Sequence, residues 1–134
     1  MDAHTLRVLE YEKVTAMLAG LCACSLGKGR VERLRPHTDP EWITARLAET
    51  AEARAALQEL GMPPFGGLAD IGEVLQRAGA GRMLEGHEVL QVAATARAGR
   101  LVREYFEGAT RFSPSLAELA ERLSDYQEIE EEAG

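Results

Sequence analysis

Along most of this chain apolar residues recur every three or four positions, the period of an α-helix. In residues 2–24 they stand at Leu6, Leu9, Val14, Met17, Leu18 and Leu21. The set 14-17-18-21 makes one helical face, but the step from Leu9 to Val14 breaks the period and predicts a kink near Glu10. Ser25 is placed to cap a short second helix over 26–34, with Leu26, Val31 and Leu34 inward. Asp39-Pro40 marks a start: the carboxylate accepts from free N–H groups, and proline at the first helical position has no N–H to leave unpaired. The helix it opens spans 40–60 and aligns Ile43, Leu47, Thr50, Ala51, Arg54 and Leu57 on one face.

The stretch from Gly61 to Ile71, GMPPFGGLADI, then interrupts the pattern with two prolines that fix φ and glycines that permit positive φ. It predicts a turn, with Asp70 capping a helix over 70–79 that carries Ile71, Val74, Leu75 and Ala78 and ends at Gly79-Ala80-Gly81. The longest helical pattern spans 85–107, its inward line Leu90, Ala94, Ala98, Leu101 and Tyr105. Ser113-Pro114 repeats the cap-plus-proline signal and opens a last helix, 114–124, with Leu116, Leu119, Ala120 and Leu123 inward. The pattern predicts an all-α multi-helix bundle, one helical domain over 1–134.

Composition narrows the class. With 46% hydrophobic but only 5% aromatic residues, a core must come from Leu, Ala and Val, which suits packed helices better than a β-sandwich. The formal net charge is −7, so the surface as a whole repels nucleic acid and does not read as an autonomous nucleic-acid module. No charged-then-apolar leader and no bilayer-length apolar run is present, which predicts a cytoplasmic location and no membrane contact.

Candidate chemistry is sparse. Cys22 and Cys24 are the only cysteines, and side chains two residues apart on a helix point about 200° apart, which suits neither a disulfide nor a chelate. His4, His37 and His87 have no zinc-ligand spacing, so no metal is expected. Gly27-Lys28-Gly29 lacks the spacing and the hydroxyl of a phosphate loop, and no cofactor-binding or catalytic set emerges. Four arginines remain as candidate contacts to nucleic acid or a partner: Arg54 within an apolar stripe, and Arg97, Arg100 and Arg103 on the long helix. Their ordinary alternative is structural, with Arg54 packing its stem along the stripe. Arg100 with Glu104, and Arg103 with Glu107, would be i,i+4 pairs. The polar glutamates at 128 and 130–132 stay in water, and the ending reads as a chain that continues.

The order of these patterns resembles the start of the MutS-like proteins of the second bacterial type. The stretches that carry the resemblance are TLRVLEYEKV at 5–14, LGK at 26–28 before LRP at 34–36, LAETAEA at 47–53 and PPFGGLADI at 63–71. A last one runs from Leu84 to Leu90 and leads into the long helix through Phe106. The resemblance implies the first, helical part of the MutS core domain, within a dimeric ATP-dependent endonuclease that binds branched DNA and restrains homologous recombination. A role on stalled ribosomes is also implied. ATP and magnesium would belong to the full-length protein, because no Walker, ABC-signature or Smr residue lies here. What transfers is a structural and coupling role with a homodimeric habit. The alternative is a free-standing helical adaptor for another protein.

Overall fold

The computed structural model describes residues 2–123, which hold seven helices and no strand. The 2–24 pattern is split into α1 (Ala3–Val8) and α2 (Tyr11–Gly20). The break falls at Glu10, which takes the left-handed conformation at φ 56°, costly for a residue with a Cβ. α2 stops at Gly20, short of the predicted end, and the chain is extended again at Cys24. α3 spans Ser25–Glu32 with Cys24, not Ser25, at the cap position. Serine therefore occupies the first helical residue and makes no capping bond.

α4 (Pro40–Leu60) has the predicted limits. The Asp39 carboxylate accepts from the Glu41 N–H at 3.0 Å, and Gly61 at φ 78° ends the helix where a side chain would be strained. α5 (Gly72–Gly79) begins two residues late, because Asp70 caps from further out: its Oδ1 accepts from the Gly72 N–H at 3.1 Å. α6 spans Gly86–Gly108 and α7 Pro114–Ala120, the latter four residues shorter than predicted, with residue 124 outside the described part.

The larger differences lie in which faces are buried. α1, α2 and α3 contain no buried residue, and they pack in chain order, α1 on α2 and α2 on α3. The core belongs to α4, α6 and α7. Ala56 meets Val102 and Phe106 of α6, with Ala109, Ala117 and Ala120, and Phe65, Leu68, Tyr105 and Leu116 close the edges. On α6 the inward line is thus Ala93, Ala98, Val102 and Phe106, with Ala98 alone kept from the expected set. Leu90 and Ala94 are exposed, and Leu101 and Tyr105 half-buried. On α4 the inward side is Glu49, Glu52, Ala53 and Ala56, whereas Leu47, Thr50, Ala51, Arg54 and Leu57 face out. On α7, Leu119 is exposed while Ala117 and Ala120 are buried, and Leu123, past the end of the helix, is exposed as well.

Physical contacts explain the rotation. The Ser113 hydroxyl donates to the Glu52 carbonyl at 2.5 Å, and the Glu52 carboxylate accepts from the N–H groups of Ser115 and Leu116 at 3.2 Å. A glutamate from α4 thereby caps α7, and its helix face must turn inward to reach. Serine at 113 does not cap its own helix as predicted. The strap from Gly61 to Ile71 crosses α6 so closely that a Cβ on Gly67 would lie 3.2 Å from Ala98 Cβ and 3.3 Å from the Ala94 carbonyl oxygen. Tyr105 anchors the strap by donating to the Gly61 carbonyl at 2.7 Å.

Candidate interaction surface

The position of the α6 arginines is set from the first turn of that helix. Glu85 and Glu88 form a reciprocal capping box, in which each side chain accepts from the other's backbone N–H. Glu88 is buried despite its charge, because Arg77 of α5 spans both its carboxylate oxygens; Nη1 lies 3.3 Å from Oε1 and Nη2 bonds Oε2. This bidentate pair clasps α5 to α6 and offsets the desolvation of the Glu88 carboxylate, while the buried Arg77 Nε has no hydrogen-bond partner among the described residues.

Further along α6, Arg100 Nη1 donates to Glu104 Oε1 at 3.2 Å. Arg103 Nε lies 3.3 Å from Glu107 Oε1, close enough for attraction but off the line of a hydrogen bond, since that buried Nε has no bonded partner. Arg103 Nη1 donates to the Leu123 carbonyl at 3.1 Å, tying α6 to the chain beyond α7. These two arginines thus take part in the helical pairs that spacing alone suggests, each worth about 0.2–0.5 kcal/mol. Arg97 and Arg54 differ. Both are exposed and make no hydrogen bond or ion pair among the described residues. Arg54 stands about 200° around α4 from buried Ala56, so it points away from the core. Of the four candidates, Arg100 and Arg103 are committed to carboxylates, whereas Arg54 and Arg97 have no such partner among the described residues.

Other side chains carry little chemistry of their own. Cys22 and Cys24 are free, half-buried thiols. Among the described residues no group of three or more His, Cys, Asp or Glu is arranged to hold a metal ion, and the glutamates at 128 and 130–132 lie outside them. A cleft of about 430 Å³ opens between α1, α2 and the end of α3, but its charged lining, Arg7 and Arg35 against Glu12 and Glu32, has no net sign. Burial pushes the Tyr105 hydroxyl above the usual tyrosine range. The Thr5 N–H holds the Asp2 carboxyl below the usual range, as expected of a helix cap. Spacing rules did not reveal Arg77 or Glu52, because their partners lie 11 and more than 60 residues away. The Glu85-x-x-Glu88 capping spacing was the one available signal.

Fold and surface together define an all-α module with an open exterior and two unpaired arginines on separate helices. No protein-family model matches the chain. It is 34% identical over 133 residues to a protein named Endonuclease MutS2 from Alkaliphilus oremlandii (strain OhILAs). It is 37% identical over 134 residues to one from Geobacillus sp. (strain WCH70), and 39% identical over 132 residues to one from Symbiobacterium thermophilum. Each alignment takes in 98% of this chain, so the chain belongs to the MutS2 family. It spans only 16–17% of the length of these curated relatives.

Proposed function

We propose that this chain is the N-terminal helical structural and coupling domain of a MutS-like, ATP-dependent, DNA-binding endonuclease. What supports this is sequence identity across 98% of the chain to proteins named Endonuclease MutS2, of which it spans 16–17%. In this reading the reactive parts lie elsewhere in a longer polypeptide, which binds ATP and magnesium and cuts the nucleic acid. The helices act as a block that relays the ATPase state to the DNA-embracing levers. Arg54 and Arg97 supply contacts to nucleic acid or to a partner. The whole protein is a cytoplasmic homodimer that engages branched DNA, suppresses homologous recombination and also acts on stalled ribosomes.

The test is the natural reading frame and its product. A longer product should hydrolyse ATP and bind branched DNA, while residues 1–134 alone show no turnover after repurification. Arg54→Glu with Arg97→Glu should weaken that binding and lower its log–log salt slope by roughly 2, one for each phosphate contact removed. An unchanged slope rejects the two arginines as contacts. A product without ATPase activity rejects the reading itself.

A second reading, a free-standing helical adaptor, draws support from the apolar residues left exposed on α2 and α4. It requires a stop codon near Gly134.

A further inference from the structure

On a helix, Cys22 and Cys24 would point about 200° apart. Neither residue is on one. α2 ends at Gly20 and α3 begins at Ser25, so both cysteines sit on the connector, and the chain bends at residues 23 and 24. Two trans peptide units span at most about 7.6 Å, and less where the chain bends, against the roughly 4.4–6.8 Å between the Cα atoms of a disulfide. Chain reach therefore does not keep the two apart.

Both side chains also belong to the same turn of α3. The Cys22 Cβ and Sγ each lie 3.5 Å from where a Cβ on Gly27 would stand, so the bare glycine leaves that thiol its place. Cys24 is the N-cap of the same helix, its carbonyl accepting from the Lys28 N–H at 3.2 Å. An N-cap side chain stands over the first turn, of which Gly27 is the third residue. The two thiols differ in their bonding. That of Cys22 donates to the Leu18 carbonyl at 3.5 Å, whereas that of Cys24 has no hydrogen-bond partner among the described residues. Both are free and half-buried, within reach of small molecules.

We infer that Cys22 and Cys24 form a reversible redox pair whose oxidant is a low-molecular-weight disulfide. Cys24, the unbonded thiol, gives up its proton and attacks one sulfur of the oxidant, releasing the other half as a thiol. Cys22 then gives up its proton and attacks the Cys24 sulfur of the mixed disulfide, expelling the second half as a thiol. One S–S bond breaks and one forms; the protein loses two electrons and two protons, and the two halves of the oxidant gain them. A bridge across a single residue, open to small thiols, is of the labile and regulatory kind. Closing it ties the end of α2 to the first turn of α3, helices that have no buried residue to hold them.

The natural polypeptide is incubated with glutathione disulfide, alkylated and digested with trypsin. Cuts after Lys13 and Lys28 release residues 14–28, which carry both cysteines. The expected product is that peptide lighter by about 2 Da, without retained glutathione, and restored by excess reduced glutathione. Cys22→Ser lacks the second thiol and should retain glutathione on Cys24. In urea the pair should be at least roughly tenfold less oxidised at equilibrium, because the fold no longer holds both thiols at one turn. An unchanged peptide, glutathione retained on the unsubstituted protein, bridges between two chains, no trapping in Cys22→Ser or equal bridging in urea overturns the inference. None of these outcomes bears on the proposed function, which ATP hydrolysis tests separately.

Discussion

Single atoms decide several features of this fold. Gly67 has no side chain because the strap passes over α6 with Ala98 Cβ and the Ala94 carbonyl in the way. Neither can yield, one being a methyl on a packed helix and the other helix backbone. Gly67→Ala should therefore destabilise by about 1–3 kcal/mol, read as a lowered urea midpoint. Gly99 is the contrast, a glycine inside α6 where an added methyl would meet no atom within 4 Å. Gly99→Ala should stabilise by about 1 kcal/mol, since the helix gains propensity without a clash. Tyr105 sets an alkaline limit. Its folded pKa lies above the unfolded value because burial disfavours the phenolate. Its contribution is full below about pH 10 and is lost as pH rises through the folded pKa. Tyr105→Phe should lose about 1 kcal/mol at neutral pH with the Gly61 hydrogen bond, and should show a shallower fall in stability as pH rises above about 10.

At the scale of elements, the starts of helices were legible and their inward faces were not. Asp39-Pro40 and the glycines at 61 and 79–81 act through local backbone chemistry, so sequence reveals them directly. The face of α4 depends instead on Glu52, a charged residue that periodicity assigns to solvent. It turns inward only because α7, more than sixty residues later, needs acceptors for its first N–H groups. The same logic made Ser113 look like a cap when it is a donor to α4. Glu52→Ala should cost about 1–2 kcal/mol and loosen α7 first, seen as faster amide exchange at Ser115 and Leu116 than on α6. Of the candidate arginines, the paired ones, Arg100 and Arg103, were legible as i,i+4 partners. The freedom of Arg54 was hidden, because the stripe it interrupts faces outward.

For the whole molecule, the family was legible from the order of short stretches, and the match over 98% of the chain agrees with it. The interior expected from Leu, Ala and Val is realised unevenly: Val74 and Val102 are buried with the alanines, while Leu68 and Leu116 only pack at the edge. Alanine fills much of the centre, and leucines on α2 and α4 stand outside. Periodicity identifies an apolar face without saying whether its partner lies within the same 134 residues.

The cross-tie between α4 and the start of α7 has a mechanical consequence. Glu52 holds residues 113–116, and Arg103 holds the carbonyl of Leu123. Tension entering at the far end of the described chain is thus handed to α6 and to the middle of α4 before α7 can peel away. Cutting the Glu52 tie would leave α7 held by its apolar packing on α4 and α6 and by Arg103 beyond its far end, so the joint would lose its brace at the start of α7 alone.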